Sequence, residues 1–373
     1  MSEAWRRRGR TALALLLPGA PQIAEGRRLG GGIALGVWLS LWILLAVRWE
    51  AVRAAVANPD GLVAVAILVG GLLVPPTWSL LEPRLGGAAR RSRRGGFVRS
   101  LARNRLALAG LLAVCGLYLA ALLAPILAPY DPTLQGELVA GSVQPPSGAH
   151  PLGTDQYARD VFSRVLYGAR ISLGVGFLAV AMSVSIGTVV GGVAGYVGGK
   201  VDTFLMRLVD MVLSFPRLVL LIAVIAVVER PSVITIVAVL GLTLWPSTAR
   251  LVRGEVLGIR EREYVEAGRA LGYSRRRILF RHVLPNALGP VIVAATLGVG
   301  NVVILEAGLS FLGIGVQPPI PSWGNMVADG RGRLLEGWWI STFPGLAIVA
   351  TVLAFNLLGD GLRDALDPRS TVR

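Results

Sequence analysis

Lysine, cysteine and histidine are nearly absent from this chain: lysine and cysteine occur once each, as Lys200 and Cys115, and histidine twice, as His150 and His282. A single cysteine inside an apolar run excludes an intrachain disulfide and a cysteine-based zinc site. The two histidines lie far apart with no ligand pattern around them, so no metal and no cofactor is expected. Charge is also scarce, at 16% of residues against 54% hydrophobic, with a mean hydropathy of +0.64. A water-soluble domain would lack the polar surface to cover so much apolar chain. There is no Gly-x-x-x-x-Gly-Lys-Ser/Thr phosphate loop, and no nucleophile–base or metal-ligand cluster marks an enzyme.

What is present is arginine and long apolar runs. The formal charge of +15 comes in short arginine-rich segments between those runs, without the aromatic interleaving of a single-strand platform. Nucleic acid is therefore not the expected partner. Basic segments between apolar runs are what the positive-inside bias of membrane proteins produces. In lipid the backbone must satisfy its own hydrogen bonds, so the expected fold is an all-α integral membrane protein, each span needing about 20 apolar residues to cross ~30 Å of hydrocarbon.

Eight stretches qualify: residues 30–47, 61–81, 106–129, 171–199, 204–228, 232–249, 286–312 and 338–359. Pro75 and Pro76 weaken the second, 204–228 carries Arg207, Asp210 and Arg217, and 286–312 carries Glu306. Arg6, Arg7, Arg8, Arg10, Arg27 and Arg28 place the N-terminus in the cytoplasm, and the arginines between Arg84 and Arg105 return there after two crossings. Continued alternation puts residues 130–170 outside, 250–285 inside, 313–337 outside and the C-terminus inside. A cleaved signal peptide at the start is disfavoured, because cleavage near Ala20 or Ala24 would export Arg27 and Arg28 directly before a span. The basic stretch 84–105 divides the chain into an N-terminal two-span appendage (1–83), a cytoplasmic linker (84–105) and a six-span core (106–373).

Residues 250–285 form an unusually polar connection, with nine arginines against Glu255, Glu261, Glu263 and Glu266. Its centre, Glu263-Tyr264-Val265-Glu266-Ala267-Gly268-Arg269-Ala270-Leu271-Gly272, reads as two short helices parted at Gly272, since glycine ends a helix and turns the chain. Pro285 is expected to mark the start of the next span. The plain alternative is an amphipathic connector on the membrane surface.

Glu266-Ala267-Gly268, Gly272 four positions beyond, and Leu284-Pro285 twelve and thirteen positions beyond Gly272 resemble the EAA loop of ABC-importer permeases. One position departs, because the family usually has a second alanine where Gly268 stands. Three further segments look like the dipeptide/oligopeptide/nickel branch: Leu152-Gly153-Thr154-Asp155-Gln156 through Arg164, Leu309-Ser310-Phe311-Leu312-Gly313-Ile314-Gly315 through Met326, and Phe355-Asn356-Leu357-Leu358-Gly359-Asp360 through Pro368. The resemblance covers roughly residues 103–369 in family order. It implies a six-helix type I ABC-importer permease core, with about two extra N-terminal transmembrane helices outside it. It also implies two ATP-binding subunits or domains that hydrolyse ATP, a second permease subunit, and an extracytoplasmic solute-binding protein, with this chain non-enzymatic in the bilayer. Glu263, Glu266, Ala267, Gly268, Gly272, Leu284 and Pro285 are the expected ATPase-coupling residues. Peptides are the expected cargo; nickel or another small solute of the same branch, and an ion-driven secondary transporter, are the alternatives.

Three charged residues are candidates for the translocation pathway: Asp210, Arg217 and Glu306. Arg207, Asp210, Ser214 and Arg217 are spaced to share one helical face, on which Asp210 can pair with Arg207, hold the bundle together or meet solute; structural pairing is the favoured reading. Glu306 can attract a cationic group or accept hydrogen bonds from neighbouring helices. Ser172 and Ser310 read as helix-packing serines.

Overall fold

A computed structural model describes residues 28–56, 104–135, 143–228 and 231–366. Among them the helices are α1 (Arg28–Val47), α2 (Trp49–Val56), α3 (Arg105–Leu122), α4 (Ala124–Leu127), α5 (Val161–Val197), α6 (Gly199–Leu213) and α7 (Arg217–Ala226). There follow α8 (Val233–Arg260), α9 (Glu263–Ala270), α10 (Arg275–Ile278), a π turn (Leu279–Val283), α11 (Leu284–Phe311), α12 (Trp323–Gly330) and α13 (Trp339–Leu366). Two compact units are distinguished. Among the described residues, 28–56 with 119–129 form one, and 104–118 with 130–366 the other.

In the smaller unit Leu41 and Val52 pack with Leu123 and Ile126. Arg48 donates from Nε to the Ile126 carbonyl at 2.8 Å and from Nη2 to the Ala128 carbonyl at 2.6 Å. These are carbonyls that the short α4 leaves without an intrahelical partner.

Long apolar helices run through the described residues. Arg105–Leu122, Val161–Val197, Val233–Arg260, Arg275–Phe311 and Trp339–Leu366 are each long and apolar enough to cross a membrane. The expected spans 106–129, 171–199, 232–249, 286–312 and 338–359 fall on these helices, and 30–47 on the 20-residue α1. The expected span 61–81 lies outside the described residues. The expected span 204–228, in which Pro216 signals a bend beside Arg217, is broken there: α6 and α7 meet at an 84° bend. The cause is local, since Pro216 supplies no amide to the helix and clashes with its preceding turn.

Caps set several helix starts. The Asp160 carboxylate accepts from the Ser163 amide to open α5, and Ser232–Thr235 and Ser322–Asn325 form reciprocal capping boxes on α8 and α12. The most extensive helix contact is between α5 and α8, which run parallel. Gly187, Gly191 and Gly195, one helical turn apart, make it possible. A Cβ at Gly187 would stand 2.6 Å from Thr248 Cβ, one at Gly195 2.9 Å from the Arg253 carbonyl oxygen, and one at Gly191 inside the Ala249 backbone. Small residues at this spacing let two membrane helices approach backbone to backbone. The α11 helix runs antiparallel to α5, with Val299 and Val303 over Gly176, and α13 runs antiparallel to α11, with Leu297 over Gly359.

Replacing Gly191 with alanine overpacks this seam and is expected to cost about 1–3 kcal/mol. Gly174, also on α5, has no atom within 4 Å of a built Cβ, so Gly174→Ala is expected to leave thermal unfolding in detergent unchanged or raised. Equal melting temperatures for the two variants would contradict the seam.

Candidate functional site

The polar connection is a folded element mounted on three long helices. Val252, Val256 and Ile259 of α8 pack with Val265 of α9, Ile278 of α10, Leu279 and Val283 of the π turn, and Leu284, Ala287 and Val291 of α11. Val184, Val193 and Tyr196 of α5 close the cluster. Leu284 is buried where α5 has no side chain, since a Cβ at Gly192 would stand 2.7 Å from Leu284 Cδ2. Arg260 adds a polar tie from Nη1 to the Gly195 carbonyl at 3.0 Å. Displacing α9 therefore requires moving this cluster or breaking it, because close-packed interiors do not deform smoothly.

The α9 helix divides its residues by face. Val265 and Gly268 point into the cluster, while Glu263, Glu266, Ala267, Arg269 and Ala270 are exposed. Both glutamates stand in the first turn, where the helix dipole favours negative charge. Neither forms an ion pair among the described residues. The exposed surface thus offers two free carboxylates beside the small side chain of Ala267.

The end of α9 meets the sequence expectation closely. Gly272 adopts a left-handed φ of 75°, its amide donating to the Arg269 carbonyl at 3.0 Å, and the Tyr273 amide donates to the Gly268 carbonyl at 3.1 Å. These two bonds are a Schellman closure, which glycine enters without a Cβ penalty. A Cβ on Gly268 would lie 3.5 Å from Tyr273 Cδ2 and 3.9 Å from Ile278 Cγ1, ordinary contact distances. The alanine usual at this position in the family therefore fits.

Pro285 marks the start of the following span as expected, standing in the first turn of α11, and the structure adds that this start is not a break in the chain's helical path. The helical path from Arg275 to Phe311 is continuous, and Pro285 lies exposed within it. The π turn explains how: the Leu284 amide reaches back five residues to the Leu279 carbonyl, and Asn286 Nδ2 donates to the His282 carbonyl at 2.6 Å. A widened turn absorbs the missing proline amide and the ring's clash with the preceding turn.

The three charged candidates separate. Asp210 does not pair with Arg207; its carboxylate accepts from Arg250 Nη2 of α8 at 2.7 Å, with both side chains more than half exposed. Arg217 leaves the shared face, because the helix carrying Arg207 and Asp210 ends at Leu213 and Arg217 opens α7 beyond the bend. Glu306 is fully buried. Its Oε2 accepts from Ser172 of α5 at 2.9 Å and its Oε1 from Ser310 at 2.7 Å. The Ser172 hydroxyl oxygen also accepts from the Trp323 amide at 3.2 Å, and that of Ser310 from the Val316 amide at 3.1 Å. The Glu306 carboxyl thus joins α5, α11 and the turn leading into α12. Ser172 and Ser310 are its hydrogen-bond partners rather than simple packing residues.

A second ionic cluster at the opposite end of the bundle escaped sequence reasoning. Arg159 Nε meets Asp155 at 2.7 Å, while Asp329 of α12 accepts from Arg159 at 3.3 Å and from Arg164 at 3.4 Å. Burial raises the Asp329 carboxyl above its ordinary value, with the two guanidiniums acting against the rise. The spacing of Asp155 and Arg159 is visible in the sequence, but Asp329 lies 170 residues away from Arg159.

Residues 187–372 match the family model described as binding-protein-dependent transport system inner membrane component, and residues 92–146 that of the N-terminal TM domain of oligopeptide transport permease C. The chain is 42% identical over 273 residues to the dipeptide transport system permease protein DppC of Alkalihalophilus pseudofirmus, covering 73% of this chain and 88% of that one. It is 44% identical over 272 residues to DppC of Bacillus subtilis, covering 73% and 84%. Against the glutathione transport system permease protein GsiD of Pectobacterium atrosepticum the identity is 42% over 273 residues, covering 73% and 90%. Among solved structures, an inward-facing MetNI methionine ABC transporter aligns over 55% of this chain and 96% of its own, at 21% identity and a TM-score of 0.46.

Because the space beside Gly268 accepts a methyl group, Gly268→Ala is expected to keep the loop intact and to gain up to about 1 kcal/mol of helix propensity. A lower melting temperature in detergent would show that the Tyr273 ring needs the glycine.

Proposed function

This chain belongs to the family of binding-protein-dependent transport inner membrane components, the permeases of ABC importers, and on that premise we propose that α9 is the helix through which separate ATPase subunits drive it. The chain is a multi-pass membrane permease. The observation that carries the proposal is the mounting of α9: a short helix with free carboxylates and a small residue outward, joined through one apolar cluster to α5, α8 and α11. A partner that grips the outward face moves three long helices together.

The assembly read from this comprises the chain itself, a second permease subunit, two ATP-binding subunits on the α9 side and an extracytoplasmic solute-binding protein on the α12 side. The arginine distribution supports that orientation, with both termini cytoplasmic. Residues 1–83 are read as an added two-span region and 84–105 as its basic linker. Dipeptides or short oligopeptides are the proposed cargo, on the strength of the relatives described above. The exposed Asp210–Arg250 pair and Arg217 at the bend belong to the proposed aqueous route, because charges left open beside membrane helices need water or a partner. Glu306 has no place in that route.

Reconstitution of the permease pair with its ATPases in proteoliposomes tests the reading. Uptake of a dipeptide delivered by the binding protein should require ATP. Replacing Glu266 and Gly272 together should lower peptide moved per ATP hydrolysed, or ATPase docking, by about tenfold, the effect of losing roughly 1.4 kcal/mol at an interface, with membrane insertion intact. Normal coupling in the double variant, or uptake driven by an ion gradient without ATP, would overturn it.

A further inference from the structure

Tyr273 stands immediately after the left-handed Gly272, and its amide closes α9 onto the Gly268 carbonyl. Its ring touches each of the three pieces that follow one another in the connection. On α9 it lies beside Gly268, where a built Cβ would stand 3.5 Å from Tyr273 Cδ2, an ordinary contact distance. From α10 the Arg277 guanidinium carbon sits 4.1 Å from the ring centroid. On the π turn the His282 ring stacks with it at 5.8 Å between centroids and 21° between planes. The same ring packs on the apolar cluster beneath.

The two ends of α9 are attached differently. Toward α8 it is joined through Glu261 and Arg262 alone, a link too short to flex freely, and Val265 is buried beside it. Toward α11 the chain passes through residues 271–274, where Leu271, Gly272 and Ser274 are exposed and Gly272 has no atom within 4 Å of a built Cβ. Four residues with a free glycine at their centre form a hinge unless something braces them. Tyr273 is the side chain in that segment that reaches back to α9 and forward to Arg277 and His282. His282 Nε2 is buried without a hydrogen-bond partner among the described residues, so this imidazole is held by its ring face and not by a polar tie at that atom.

We infer that Tyr273 is a positioning residue for coupling, bracing the turn between α9 and the Arg275–Phe311 helix so that a displacement of α9 moves that helix instead of flexing the turn. The inference rests on α9 being the ATPase-driven helix. Tyr273 transmits the motion and is not part of the outward face that the ATPase would grip. A half-buried aromatic ring with a guanidinium and an imidazole both set against it is a stiff contact, because each neighbour is favoured over a limited range of ring geometry.

The test uses the intact transporter in proteoliposomes and reads ATPase co-purification, ATP hydrolysis and peptide moved per ATP as separate quantities. Tyr273→Ala should retain docking and ATP hydrolysis within about twofold while peptide moved per ATP falls about tenfold, the change expected when one cation–π contact and one aromatic stack are lost. Tyr273→Phe keeps the ring and should couple as the unmodified protein does. Arg277→Gln leaves ring and cluster in place and should lower the ratio about threefold, which keeps the inference testable if Tyr273→Ala does not fold. An unchanged ratio in both Tyr273→Ala and Arg277→Gln overturns it. So does Tyr273→Phe falling as far as Tyr273→Ala, or loss of ATPase docking in Tyr273→Ala, which would make the residue part of the docking surface. If the unmodified transporter shows no dependence on ATP, the proposed function fails, a result distinct from any of these.

Discussion

The close approach of α5 and α8 along Gly187, Gly191 and Gly195 is the constraint from which the loop geometry descends. Backbone contact at Ala249 and Arg253 holds the two helices parallel and sets the separation of their ends. Val193 and Tyr196 near the end of α5, with Val184 further back along it, and Val252, Val256 and Ile259 of α8 together make the floor on which α9 and the start of α11 rest. In lipid no hydrophobic drive holds two helices together, so this contact depends on packing and small residues. At the loop end, burial of aliphatic side chains from water can take over as the stabilising force.

That change of solvent explains the division of labour in the connection. Inward residues are aliphatic and few, outward residues are charged, and the transitions between them use special backbone geometry: a left-handed glycine at 272 and a π turn at 279–283. Both devices let a polar loop return to a membrane helix without leaving apolar side chains in water or backbone groups unpaired in lipid. At the other end of the bundle the problem is solved with polar groups instead. Glu306, Ser172 and Ser310 interlock by hydrogen bonds, and Asp155, Arg159, Arg164 and Asp329 by charge. Such buried networks hold one arrangement because each member left unpaired is costly.

Features that depend on local chain chemistry were legible in the sequence. Gly272 as a helix end, the long apolar helices and the polarity of 250–285 all follow from neighbouring residues. Pro216 signalled a bend, but helical spacing assumes a continuous axis, so Arg207, Asp210 and Arg217 were placed on one face that an 84° break divides. Ser310 lies within helical spacing of Glu306, but the partner of Asp210, Arg250, and the other partner of Glu306, Ser172, lie 40 and 134 residues away, and no spacing rule reaches that far. The glycines at 187, 191 and 195 are plain in the sequence, yet their spacing does not say which helix they meet. Pro285 reads correctly as the start of a helix, but the π turn that joins it to α10 without a break leaves no composition signal.

The central claim is that the outward face of α9 is the surface gripped by the ATPase. With Cys115 replaced by serine, a cysteine at Ala267 can carry a photoactivatable cross-linker in the assembled transporter, and a cysteine at the exposed Trp338 can serve as the opposite-end control. Adducts to the ATPase subunit from position 267 and none from position 338 are the predicted result. An active complex that yields ATPase adducts from position 338, or none from position 267, would contradict it.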